Sequence, residues 1–221
     1  MAQAVGKAGT PVDGIAAPEH AEVGTVAPDE GARQRLLLAA TRLFARTGYA
    51  ATSVREIVEA AGVTKPVLYY YFQSKEGLYL AILEETRRVM EATIAEALAA
   101  GGGACDRIGG LLERMVALVR EHIDTVRLIH SVFYGPPQGA PHFEFETLHH
   151  RLVEAVRGLV VEGMANGELR PGDPDDVTWA LLGAFEVANG LELHHPDLHF
   201  GADGLRRILT LIFGGVRAAT R

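Results

Sequence analysis

The sequence predicts an all-α protein in which three short N-terminal helices precede a C-terminal bundle of longer helices. Apolar residues recur at helical spacing along most of the chain, and no alternating stretch is long enough for a sheet. In addition, three helix-start signals fall within residues 52–78. Short helices this close together in the chain must be joined by tight turns.

Composition supports a folded protein with a buried core. The chain has 221 residues, of which 48% are hydrophobic. No apolar run reaches the roughly 18 residues of a membrane span, and the first thirty residues contain no apolar signal segment, so we expect a cytoplasmic protein. Residues 1–29 are rich in Gly, Ala and Pro, which predicts a disordered tail. A single cysteine, Cys105, cannot form an internal disulfide.

The charge is unevenly distributed along the chain. The net charge of −7 argues against a nucleic-acid partner, but residues 31–76 hold seven Lys or Arg against three acids, which is 7 − 3 = +4. The acids are concentrated in the remaining chain. This basic segment therefore predicts one short module that could face phosphates.

The first helices are indicated by their caps. A helix is expected from Glu30 to Thr47, ended by Gly48. The second begins at a capping box of Ser53 and Glu56, although Thr52 could equally be the cap.

The next turn contains Gly62, which permits a sharp reversal before the third helix. That helix starts after Thr64, with Pro66 in its first turn. Two short helices around such a turn predict a helix-turn-helix.

Longer helices follow. One runs from about Leu78 to Ala100 and ends at three glycines, residues 101–103. Further helices are expected at about 106–122, 125–134, 142–166, 174–192 and 203–219. We therefore expect a helix-turn-helix domain at residues 30–76 and a ligand-binding and dimerisation domain at residues 77–221.

The third helix has two different faces. Leu68, Tyr71 and Phe72 lie three and four residues apart and should pack on the first two helices. The other face would be unusual in solvent but is suited to a DNA groove, because it combines hydroxyls, a cation and phenols. It consists of Thr64, Lys65, Pro66, Tyr69 and Tyr70. An aromatic run is otherwise more often core than contact surface.

Lys75 opens the following helix, where its charge opposes the helix macrodipole. A DNA phosphate bound by Lys75 and the amides after Ser74 would remove this conflict. Local pairing with Glu76 is the alternative.

Residues 35–83 carry a specific pattern made of Ala40, Leu43, Phe44, Gly48, Ile57, Ala61, Gly62, Val63, Leu68, Tyr69, Tyr71, Phe72, Ser74, Lys75, Glu76 and Leu78. In this pattern the segment resembles the N-terminal DNA-binding domain of the TetR family of transcriptional regulators. The resemblance implies that Thr52 and Arg55 lie near the DNA backbone, that Thr64, Lys65, Pro66 and Val67 approach bases, and that Tyr69, Tyr70 and Lys75 hold phosphates. Pro66 stands where the family often has glycine, so the base preference there does not carry over.

A short reading helix needs a second half-site, so we expect a homodimer on palindromic double-stranded operator DNA. The last helix carries a stripe of Leu205, Ile208, Leu209, Ile212 and Val216, beside Gly214 and Gly215. The resemblance places the dimer at the last two helices as a four-helix bundle, and packing within one chain is the alternative.

The C-terminal helices are expected to hold a small-molecule inducer that shifts the dimer away from its DNA-binding spacing, as in a repressor. Candidate pocket residues are Met115, His130, Phe133, Tyr134, Phe145, His149, Trp179 and Glu186. Glu186 is notable because a carboxylate inside an apolar helix needs a partner, either an inducer cation or an Arg or His of a second subunit.

Other functions have weaker support. Nine histidines suggest metal binding, but their spacing and the lack of a nearby cysteine disfavour it, and we expect no metal and no cofactor. No phosphate loop, nucleophile elbow or HExxH helix is present, so we do not expect an enzyme. An activator or architectural protein without an inducer, or an enzyme using His149 and Glu186 behind a vestigial DNA domain, would be alternatives.

Overall fold

The computed structural model describes residues 30–133 and 139–217. Over these residues the chain forms nine α-helices: α1 Glu30–Thr47, α2 Val54–Ala61, α3 Lys65–Phe72, α4 Lys75–Ala99, α5 Ala104–Glu121, α6 Ile123–Phe133, α7 Phe145–Ala165, α8 Pro174–His194 and α9 Gly201–Val216. The predicted all-α class is confirmed, and the expected helices lie within a few residues of the observed ones. The tail expected at residues 1–29 falls outside the described residues. None of the described helices is long and apolar enough to cross a membrane.

The α2–α3 connection is a tight turn of the expected kind. Ser53 is the cap: its Oγ accepts from the Glu56 amide at 3.2 Å, and the Glu56 carboxylate accepts from the Ser53 amide at 2.8 Å. Gly62 ends α2 in the left-handed region at φ 63°, and the Val63 amide donates back to the Val58 carbonyl. The backbone therefore reverses within three residues and sets α3 across α2.

A first hydrophobic core joins α1, α2 and α3 to parts of α4 and α6. Its fully buried side chains include Leu36, Phe44, Ile57, Leu68, Leu78, Leu83 and Leu128. Leu128 comes from α6, some sixty residues after α3 in the chain. The N-terminal helices therefore pack against α4 and α6 of the second half. Because the core is closely packed, a shift of α4 or α6 would also move α3.

A second core surrounds α5, which packs against α4, α7, α8 and α9. The apolar stripe of α9 lies in this core. Leu205 and Leu209 are buried within their own chain, and Ile208, Ile212 and Val216 are partly buried against the same cluster. The stripe that the sequence assigned to either a partner or the chain's own core thus packs in the chain's own core.

The α8–α9 junction is held by a buried carboxylate. Glu192 is only 3% exposed, its Oε1 accepts from the Gly201 amide at 2.7 Å, and its Oε2 lies 3.2 Å from Nε of Arg120. Glu192 therefore links the end of α8 to the end of α5 through the ion pair and to the start of α9 through the amide hydrogen bond.

Candidate nucleic-acid surface and interior cavity

The two faces of α3 are as different in the structure as in the sequence. Leu68 and Phe72 are buried in the first core, and Tyr71 is partly buried beside them. On the opposite side Tyr69 is 48% and Tyr70 is 70% exposed. Thr64, Lys65 and Pro66 are also exposed, and Val67 is partly exposed. The short helix therefore presents a cation, a hydroxyl and two phenols on one continuous outer surface, which we call the α3 face (Thr64, Lys65, Pro66, Tyr69 and Tyr70).

Arg55 and Thr52, both expected near a DNA backbone, differ in solvent exposure. Arg55 is exposed, and its Nε donates to Glu59 one turn later at 2.8 Å; this hydrogen bond raises the pKa of the guanidinium. Thr52 is 2% exposed, and its hydroxyl donates to the Gly48 carbonyl at 2.8 Å. The Thr52 side chain therefore closes the α1–α2 turn and is not presented at the surface, in contrast to the expectation.

Lys75 also has a different environment from the expected phosphate clamp. Its Nζ donates to the backbone carbonyls of Tyr49 and Thr52, both at 2.9 Å, and lies 4.2 Å from the centroid of the Tyr49 ring. The ammonium group thus neutralises carbonyl oxygens and an aromatic face within its own chain. In this structure Lys75 links the start of α4 to the α1–α2 turn, and the pairing with Glu76 is not formed.

The junction between α3 and α4 is unusually tight. Gln73 has φ 62° and ψ −30°, and the Ser74 amide donates to the Phe72 carbonyl at 2.6 Å, which is a γ-turn. A Cβ added at Gly77 would lie 2.0 Å from the same Phe72 carbonyl oxygen. This close approach fixes the angle between α3 and α4, and with it the position of the α3 face relative to the second half of the molecule.

A cavity of about 380 Å³ lies among α1, α4, α5, α6, α7 and α8. Four of the eight expected pocket residues line it: Met115, His130, His149 and Glu186. Trp179 does not; it is 58% exposed on the outer side of α8, so its assignment to the pocket is wrong. Tyr134 and the side chains of Phe133 and Phe145 fall outside what the structure describes.

The sequence missed the contribution of α1 to this cavity. Gln34, Leu37, Leu38 and Thr41 of α1 form one wall. The run Leu36-Leu37-Leu38 could have predicted this wall, because three consecutive leucines cannot all lie on one face of a helix. At least one of them must pack outside the first core. Leu38, which points away from the first core, reaches the cavity instead.

Comparison with known proteins agrees with this arrangement. Residues 36–82, which span α1 to the start of α4, match the family described as bacterial regulatory proteins, tetR family. Residues 36–82 thus form an N-terminal domain of the TetR family. The chain's solved structural neighbours include a TetR-like transcriptional regulator from Rhodococcus sp. RHA1, with a TM-score of 0.67 and 22% identity over 85% of this chain and 96% of that one.

Two curated relatives carry the TetR resemblance beyond the N-terminal helices. The transcriptional repressor AcnR of Corynebacterium glutamicum is 29% identical over 84% of this chain and 92% of its own length. The transcriptional activator FasR of Mycolicibacterium smegmatis is 34% identical over 106 residues, and the alignment spans 48% of each chain. The matched N-terminal domain and these relatives, both named as transcriptional regulators, identify the chain as a DNA-binding transcriptional regulator of the TetR type and not an enzyme.

The histidines do not assemble into a metal site in the described part of this chain. Within residues 30–133 and 139–217, no three His, Cys, Asp or Glu side chains lie close enough together to hold a metal ion. Three histidines, His122, His130 and His149, instead line the cavity.

Proposed function

We propose that the protein is a homodimeric, cytoplasmic repressor that binds a palindromic operator through α3 and leaves it when a small molecule enters the cavity. The exposure of the α3 face carries the DNA-binding part of this proposal. A helix that buries Leu68 and Phe72 and exposes Tyr69 and Tyr70 has no packing reason to keep two phenols outside. A DNA groove supplies one, since phenol hydroxyls donate to phosphates and ring atoms contact thymine methyls.

Repression is favoured over activation by the extent of similarity. The relative named as a repressor aligns over 92% of its length, including the C-terminal helices, whereas the alignment with the relative named as an activator spans 48%. A reporter gene placed behind the operator tests this choice: removal of the protein should raise expression. A fall in expression would identify an activator.

The dimer is proposed to form on exposed faces of α8 and α9. Trp179, Gly183 and Val187 follow one another at four-residue spacing on the outer side of α8, and Leu211 is 77% exposed on α9. Gly214, three residues after Leu211, would let a second helix approach closely. The two helices pack side by side within the chain, which is the arrangement from which a four-helix bundle between two subunits is built.

The cavity is proposed as the inducer site because it touches both cores. Its volume falls in the range of small-molecule pockets, and its walls include α1 of the N-terminal core as well as α5 and α8 of the second core. A compound that prefers a wider separation of these helices would move α1, and with it α3. If every compound that binds left operator affinity unchanged, this part of the proposal would be wrong.

The DNA-binding proposal is tested on operator sequences selected from a random duplex pool at stated salt, where a palindrome is expected. Tyr70→Ala should weaken binding of the selected operator about tenfold, and Lys65→Ala should reduce the dependence of log affinity on log salt by about one. Arg114→Ala, which removes an exposed arginine on α5, is the matched control. Fluorescence anisotropy measures both quantities. Equal effects of Arg114→Ala and Lys65→Ala would contradict the assignment of the α3 face.

A further inference from the structure

We infer that the cavity takes an apolar compound with a cationic amine, and not an organic anion. The inference rests on the proposed role of the cavity as inducer site and concerns the chemical class of the inducer. It follows from which charged groups line the cavity and from one buried hydrogen-bond acceptor on its wall, the Asn189 Oδ1.

The lining is apolar with an acidic bias. Most of the wall consists of aliphatic side chains, methionines and Phe185. Among the described residues that line it there is no lysine or arginine, but there are two glutamates, Glu85 and Glu186. A buried anion would lose its hydration without gaining a fixed cation, which is strongly unfavourable. An amine would gain a carboxylate.

Arginines on the surrounding helices do not change this balance. Arg42 of α1 and Arg127 of α6 both pair with Asp124, at 4.0 and 3.6 Å. Neither contributes to the described lining. Glu85 is itself paired with Arg88 at 3.2 Å, so Glu186 is the carboxylate left for a ligand.

Two side chains of α8 offer hydrogen-bond acceptors to the cavity. The Asn189 Oδ1 is buried and has no hydrogen-bond partner among the described residues, which costs free energy unless a ligand donates to it. Glu186 lies three residues earlier on the same side of α8 and lines the cavity, but it is exposed. It is therefore hydrated and does not need the partner that the sequence suggested. It places a carboxylate at the solvent-accessible edge of the cavity. An ammonium group has several donors and no acceptor, so it matches this pair of oxygens.

Three imidazoles face the same space. His122, His130 and His149 are the described lining groups that can carry a positive charge, and protonated they would attract an anion. The test is therefore made at about pH 8, where free imidazole is neutral and a primary alkylamine is protonated.

The experiment compares octylamine, octanol and octanoate, which share an alkyl chain and differ in the head group. Calorimetric titration of the full-length protein should show octylamine binding at least about tenfold more tightly than octanoate, with octanol between them. Because Glu186 is exposed, Glu186→Gln should weaken octylamine binding by about threefold to fivefold and leave octanol binding unchanged. Glu154→Gln, an exposed glutamate of α7 outside the cavity, should change neither.

The site of binding is checked with Thr86→Phe, which fills part of the cavity from α4 and should weaken octylamine and octanol alike. Tighter binding of octanoate, or an octylamine affinity unchanged by Glu186→Gln, would overturn the inference and leave the inducer site standing. Binding that Thr86→Phe does not affect, or no binding by any of the three, would instead count against the cavity as the inducer site.

Discussion

At the scale of single residues, the position of α3 depends on the contact between Gly77 and the Phe72 carbonyl. A methyl group at Gly77 would meet that oxygen at 2.0 Å, and backbone atoms cannot move aside as a flexible side chain can. Gly77→Ala should therefore lower the free energy of unfolding by about 1–3 kcal/mol, as measured by chemical denaturation.

The control for this substitution is Gly110→Ala. An added Cβ at Gly110 on α5 meets nothing within 4 Å, so this change should stabilise the protein by up to about 1 kcal/mol. If both alanine variants were stabilised, the close approach at Gly77 would not constrain the α3–α4 junction.

Lys75 is the residue for which structure and family resemblance give different roles. Because its Nζ donates to two backbone carbonyls, Lys75→Met should leave both without this donor and lower the free energy of unfolding by about 1–3 kcal/mol. The salt dependence of operator binding should stay unchanged, in contrast to that of Lys65→Ala. If Lys75→Met instead reduced the salt dependence and left stability unchanged, Lys75 would contact a DNA phosphate, as the resemblance implies.

At the scale of helices, α5 begins with a cap that comes from a distant part of the chain. Gly103, the residue before α5, has no side chain to cap it. Glu168, after α7, supplies the cap: its carboxylate accepts from the amides of Ala104 and Cys105 at 2.6 and 2.9 Å. Burial raises the pKa of Glu168, but the amide hydrogen bonds and the nearby Arg217 outweigh it, so the pKa lies below the ordinary 4.5.

The sign of the pH dependence follows from this lowered pKa. The carboxylate is favoured in the folded state, so its contribution is present above the unfolded value of about 4.5 and is lost as the pH falls through the folded value. Glu168→Gln should cost about 0.5–2 kcal/mol at neutral pH, and the difference from wild type should shrink below pH 4.5 in denaturation curves. Glu154→Gln should show no such convergence. If the stability difference between Glu168→Gln and wild type were the same at all pH values, the charge of Glu168 would not contribute to stability.

The helices themselves were predictable, because their signals are local. Periodicity and the cap residues gave α1 its observed ends at Glu30 and Thr47, and Gly62 marked the turn before α3. The cap of α5 was not predictable, since Glu168 lies more than sixty residues away. The α9 stripe was ambiguous for another reason: one apolar face looks the same whether it is covered by its own chain or by a second one.

The candidate sites were predictable to the same extent. The exposed phenols of α3 could be inferred because helical spacing assigns Leu68 and Phe72 to the opposite face. The burial of Thr52 depends on how the α1–α2 turn closes, and local sequence does not give that. Trp179 was misplaced because α8 is apolar on nearly all sides, so its pattern does not say which side faces the interior.

At the scale of the whole molecule, two cores share α4 and surround one cavity. Side chains of α4 contribute to the first core through Leu78, Ile82 and Leu83 and to the second through Ile94. The cavity opens between these two sets, with α1 on one side and α5 on the other. A ligand there would separate elements that belong to different cores, which is where a small movement changes the spacing of two α3 helices in a dimer.

The proposed dimer gives the prediction at this scale. Leu211 is 77% exposed on α9, and Trp179 and Val187 are more than half exposed on α8, an unusually apolar outer surface for a monomer. In a twofold symmetric interface each substitution occurs twice, so Leu211→Glu would place two carboxylates in one apolar contact. Sedimentation should show a monomer, and operator affinity should fall by about a hundredfold or more because one half-site binds alone.

Leu198→Glu is the matched control, since Leu198 is 59% exposed but lies in the turn between α8 and α9. If Leu211→Glu remained dimeric while Leu198→Glu dissociated, the interface would lie around that turn and not on the helix faces.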